Sequence, residues 1–204
     1  TETWPTRPDH RFLYAQEKAE LELLLLEESA ALPEVDLYLL RPPIVLGPHA
    51  VGAKAALPDA VGRLASVARS AIERTPVPVP VVLPDLPVQF VHEDDVGQAL
   101  ALCIVGAGPP GAYNIAGDGT VGEHDVARAL GLVPLPFPLP VVQRGARALA
   151  GLPRPGFLPP AAGWVAALSH PVMVDTTKAK ALLGWEPRFT GLEALHATVG
   201  AAPG

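Results

Sequence analysis

Leucine and alanine are interleaved with glutamate and lysine at helical spacing over residues 14–31 (YAQEKAELELLLLEESAA), and almost every residue in that run is a strong helix former. The pattern predicts a long helix that Pro33 brings to an end. Residues 35–40 (VDLYLL) follow as a nearly unbroken apolar run, the pattern of a strand buried on both faces of a parallel sheet. Helix, short turn and buried strand make half of a βαβ unit, which needs further parallel strands beside it. The preceding 34 residues hold little besides the helix, so the sheet reads as incomplete and this chain as a portion of a longer polypeptide.

Further along, Val61, Leu64, Ala65, Ala68 and Ile72 fall on one side of a helix predicted over residues 59–73. Valine alternates with proline over residues 76–82, which confines that stretch to an edge or a non-strand segment. Residues 88–92 (VQFVH) read as a short strand, and Asp94 or Asp95 as the N-cap of a helix over residues 96–105. A strand at 112–116 (AYNIA), a turn at 117–122 and a helix at 123–130 closed by Gly131 come next. Residues 132–160 are proline-rich and enclose one predicted helix, 141–152. The tail VDTTKAKALLGWEP reads as a strand residue, a cap, a helix and a stop at Gly184.

Composition narrows the class. The 204 residues are 49% apolar and 18% charged, which is globular rather than disordered; the 25 prolines and 19 glycines show no fixed period, so no repeat array is expected. No apolar stretch approaches the roughly 20 residues that cross a bilayer, so no membrane association is expected. A net charge of −6 with scattered basic residues argues against nucleic acid as a partner. One cysteine, Cys103, in an apolar helical run, reads as a buried hydrophobe in a reducing compartment, so the expected location is cytoplasmic.

Tyr14 and Lys18 stand four apart at the start of the first helix, which places a phenol and an ammonium on one face. A free phenol, with a pKa of about 10, is a poor acid or base at neutral pH, but a neighbouring cation stabilises the phenolate. By itself the pair also fits an ordinary solvated helix face. The residues around it come in a definite order: Tyr14-x-x-x-Lys18, a buried strand, Arg41-Pro42 leading to Gly47-Pro48, Phe90-Val91-His92 into Asp95-Val96, Tyr113-Asn114-Ile115-Ala116, then Leu183-Gly184-Trp185-x-Pro187. That order resembles the C-terminal portion of the extended short-chain dehydrogenase/reductases, the NAD-dependent epimerase/dehydratase group, over nearly the whole chain.

The resemblance implies an α/β fold, a Rossmann-type parallel sheet present only in its C-terminal part, with a smaller α+β substrate domain. Residues 1–48 would close the Rossmann-type domain, residues 49–204 would be mainly substrate-binding, and 88–105 would return to the first domain. It implies an NAD(P)-dependent enzyme acting on a hydroxyl or carbonyl carbon of a sugar-like or apolar small molecule, with NAD or NADP as cofactor. Tyr14 would be the acid/base and Lys18 its catalytic partner and the holder of the nicotinamide ribose, both of them lying against the cofactor, and Pro42, Pro43, Ile44 and Val45 the loop passing the nicotinamide. His92 and Arg63 are the candidate substrate contacts, and a homodimer is an open expectation.

Departures from the family are equally clear. The glycine-rich strand-to-helix turn that cradles a pyrophosphate is absent, since Gly106-Ala107-Gly108 and Gly117-Asp118-Gly119 sit in the wrong context; the cofactor-binding half would have to be supplied in addition. Where nucleotide-sugar members carry Arg-Asp before the Phe90 position, this chain has Val88-Gln89. The run His92 to Asp95 does not read as a metal site, because adjacent residues diverge and no spaced partner set exists. The competing reading is a non-catalytic binding or scaffold module presenting residues 134–140 (PLPFPLP) as a polyproline ligand.

Overall fold

A computed structural model describes residues 1–3, 13–50, 80–81, 87–129, 132–134 and 173–200. Helix α1 spans Leu13–Ala31 and ends ahead of Pro33, as its pattern predicts. Ala19 is its one buried residue among those described, and Leu21 and Leu23 to Leu26 are 37–64% exposed.

The first strand differs from its prediction. A turn closed by Val35 N–H on Leu32 O keeps Val35 out of the sheet, 52% exposed, and β1 runs over Tyr38–Arg41, half-buried throughout. Tyr38 and Leu40 pack on the core, whereas Arg41 turns its guanidinium to Glu22 of α1. The strand that is buried on both faces is a later one, β4 (Phe90–His92): Val91 enters one apolar cluster and Phe90 a second. Side chains alternate across a strand, so one apolar run reaches both cores only where layers cover both faces.

Strand β1 pairs in parallel with β5 (Gly111–Asn114), β2 (Ile44–Leu46) with β4, and β3 (Pro80–Val81) with β6 (Val133–Pro134). The proline-alternating stretch therefore does form a short strand at Pro80–Val81. The chain leaving β5 bonds Gly117 N–H to Phe90 O, which links the first two ladders. Helix α2 (Glu93–Ile104), Tyr113, Ile115 and Trp185 close the first cluster, with Cys103 buried as expected. Helix α3 spans Glu123–Ala129.

A π-helical segment, Ala179–Leu183, stops at Gly184, whose φ of +66° is left-handed and suited to glycine. No strand forms at Val174, contrary to the sequence expectation. Helix α4 (Gly191–Gly200) opens on a reciprocal cap: Glu193 N–H donates to Thr190 Oγ1, and Thr190 N–H donates to Glu193 Oε2 at 2.7 Å, holding that carboxyl below its ordinary range. The predicted helices at 59–73 and 141–152 lie outside the described residues. No described helix is long and apolar enough to cross a membrane.

Candidate active site

In an open parallel α/β sheet ligands collect beyond the carboxyl ends of the strands. Strand β1 ends at Arg41, and Pro42-Pro43 carries the chain directly into β2, with Pro42 and Ile44 exposed and Val45 packed on the first cluster. Arg41 Nε donates to Glu22 Oε2 at 3.1 Å, its Nη2 pairs with Glu22 Oε1, and Nη1 donates to Glu2 O at 3.2 Å. Glu2 Oε1 accepts the N–H of Asn114, the last residue of β5, at 2.9 Å. This network fixes α1 against the carboxyl ends of β1 and β5. Tyr14 lies in the first turn of α1 and Lys18 one turn later, exposed.

The chain has three tyrosines. Tyr38 donates to Gly108 O at 2.7 Å and Tyr113 to Pro109 O, so both hydroxyls are spent on main chain. Burial raises both phenols, with Asp36 adding to the effect at Tyr38 and Tyr38 adding to it at Tyr113. Burial also raises the Cys103 thiol, which keeps it un-ionised. These groups are unsuited to proton transfer near neutrality.

His92 is only 4% exposed. It, and not Asp94 or Asp95, caps α2: its Nδ1 accepts Asp94 N–H at 3.2 Å, and its ring stacks on Phe189 with centroids 4.0 Å apart. The expected Asp caps are not used: the helix starts at Glu93, which puts Asp94 and Asp95 inside its first turn, and Asp95 bonds elsewhere. Fully buried, Asp95 accepts Arg188 N–H at 3.0 Å on Oδ1 and Phe189 N–H at 3.2 Å on Oδ2, and its main-chain O accepts Trp185 Nε1–H at 2.9 Å. The junction is thus a helix cap made by His92 and a loop clamp made by Asp95, and Trp185 is a packing residue. Arg63 lies outside the described residues. Among the described residues no group of three or more His, Cys, Asp or Glu is placed to hold a metal.

Gln89, one of the two residues just before Phe90, has a role that sequence reasoning missed. Its Oε1 accepts Val174 N–H at 2.7 Å and its Nε2 donates to Val174 O at 3.3 Å, so one carboxamide pairs with a main-chain residue as a neighbouring strand would. A carboxamide presents a donor and an acceptor side by side, which neither a carboxylate nor an apolar side chain does. Gln89→Leu and Gln89→Glu are both expected to lower the unfolding free energy by about 1 to 3 kcal/mol in denaturant titrations; a Glu variant as stable as the parent would show that the second bond contributes nothing.

No protein-family model matches the sequence, and no curated protein matches it. Solved structures do. A dTDP-glucose 4,6-dehydratase from Bacillus anthracis, in complex with NAD, matches over 98% of this chain at a TM-score of 0.63 and 16% identity. The chain shares the α/β fold of that dehydratase structure. RMD from Pseudomonas aeruginosa, complexed with NADPH, matches over 92% of the chain at a TM-score of 0.57 and 17% identity. A UDP-glucose 4-epimerase from Thermotoga maritima, with UDP-glucose, matches over 92% at 0.52 and 20% identity. This chain covers 54%, 55% and 52% of those three proteins respectively, so it spans about half their length.

Proposed function

We propose that this chain carries the catalytic helix and the substrate-binding region of an NAD(P)-dependent oxidoreductase, epimerase or dehydratase of this family, acting on a hydroxyl or carbonyl carbon. The observation that carries the reading is the placement of Tyr14 and Lys18 one turn apart on α1, a helix held by Arg41 and Glu22 at the carboxyl end of a parallel strand in this fold. Residues 1–48 and 88–105 serve the cofactor side and the remainder the substrate.

The residues present fit one end of a nicotinamide dinucleotide. Lys18, exposed on α1, carries an ammonium of the kind that donates to ribose hydroxyls, and exposed Pro42 and Ile44 offer an apolar surface for a flat ring. When bound, the dinucleotide supplies hydride exchange with the reacting carbon. Tyr14 passes a proton to or from the substrate oxygen, and the Lys18 ammonium stabilises its phenolate form. The pyrophosphate end needs a glycine-rich turn that these residues do not include, so the active unit pairs them with a cofactor-binding half.

In that unit Lys18→Met is expected to weaken NAD(P) binding by at least tenfold in calorimetric titration. It should also move the pH–rate profile upward, because a phenol deprived of its cation ionises at higher pH. A tenfold loss of affinity with an unmoved profile would confine Lys18 to the ribose. An unchanged affinity would overturn the reading. The scaffold alternative is weakened by Pro134, the first residue of the PLPFPLP segment, which is paired in β6 rather than presented as a free polyproline strand.

A further inference from the structure

Strands β2 and β4 are adjacent and parallel, with Leu46 opposite His92, so the chain leaves both at the same level. It leaves β2 through Gly47, Pro48 and His49, and β4 through Glu93. There Glu93 Oε1 accepts two hydrogen bonds from one residue, the His49 N–H at 3.0 Å and the His49 ring Nδ1–H at 3.1 Å. Gly47 makes room for this carboxylate: its φ is +153°, and a Cβ placed on it would lie 2.5–2.8 Å from Glu93 Cδ, Cγ and Oε1. Gly47 N–H is itself held by Thr198 Oγ1 of α4 at 2.8 Å.

The Glu93 side chain is 20% exposed and the His49 side chain 89% exposed. A pair so open adds little to stability, yet it is held both from the main chain and from the ring, in space that Gly47 leaves free. With Nδ1–H given to Glu93, the ring nitrogen left for a ligand is Nε2, which in the neutral ring is a hydrogen-bond acceptor for a ligand O–H. The helix beginning beside it opens with Glu93 and Asp94, whose charges disfavour an anionic group.

We propose that His49, oriented by Glu93, is a substrate-contacting residue that accepts a hydroxyl of a neutral, polyhydroxylated substrate at the carboxyl ends of β2 and β4. This deepens the function proposed above and rests on it for the identity of the site.

The probes are methyl β-glucoside, a neutral polyol, and UDP-glucose, which carries the same hexose on a diphosphate; both are titrated into the unit that contains the cofactor-binding half, with NAD present. The His49 ring signal, assigned by its absence in His49→Ala, is expected to report the Nδ1–H tautomer and to move saturably with the glucoside. Ligand-observed saturation transfer is expected to show affinity falling at least fivefold in His49→Ala and severalfold in Glu93→Gln, with unfolding temperatures unchanged in the exposed His49 variant. UDP-glucose is expected to move the signal only at higher concentration. No movement with the glucoside, tighter binding of UDP-glucose through His49, or equal glucoside affinity in His49→Ala overturns the proposal. NAD titration of the same sample separates the two readings. NAD binding without a His49 response refutes this proposal alone, a His49 response without NAD binding refutes only the dinucleotide reading, and the absence of both refutes both.

Discussion

Tyr14→Phe is expected to lower turnover at least a hundredfold in the unit that pairs this chain with a cofactor-binding half, followed by the absorbance of the reduced nicotinamide. The substitution removes one hydroxyl and keeps the ring, so the thermal unfolding midpoint and the NAD(P) affinity should stay close to those of the parent. General acid–base catalysis contributes typically 10²–10⁴-fold, which sets the size of the loss. Tyr38 and Tyr113 cannot take over, because their hydroxyls are committed to Gly108 O and Pro109 O and burial raises both. A loss confined to KM would make Tyr14 a binding group only. Undiminished turnover would remove it from the mechanism.

The second large effect is structural. Asp95→Ala is expected to cost about 3 to 5 kcal/mol, because the carboxylate is fully buried and its removal leaves the N–H groups of Arg188 and Phe189 without their acceptor. For a chain of this size that is a fall of roughly 6 to 20 °C in unfolding temperature. The consequence spreads, since the loop that Asp95 holds also brings Phe189 onto the His92 cap and follows Trp185, which is anchored to the Asp95 carbonyl. Asp95→Asn keeps one acceptor and turns an N–H₂ group toward a main-chain donor, so it should recover only part of the loss. An Ala variant that melts with the parent would show that solvent satisfies the loop as well as the carboxylate does.

Local order along the chain was enough to place α1, β4, α2, the turn at Gly184 and the Tyr14–Lys18 pair, because helical periodicity, caps and left-handed glycines act over a few residues. The order of weak motifs was also enough to point to the fold. Burial was not legible in the same way. The apolar run at 35–40 and the apolar run at 88–92 look alike, yet among the described residues only the second has an apolar cluster on each face, a property of what packs around a strand rather than of the strand itself. The cap of α2 went to His92, one residue ahead of where the helix starts, while Asp95 is claimed by Arg188 and Phe189, more than 90 residues away in sequence. Gln89 meets Val174 across 85 residues, and His49 meets Glu93 across 44. Side-chain chemistry proposes such partners by the dozen; only the three-dimensional path of the backbone selects one, because a hydrogen bond requires two groups within about 3 Å and sequence spacing does not encode that distance.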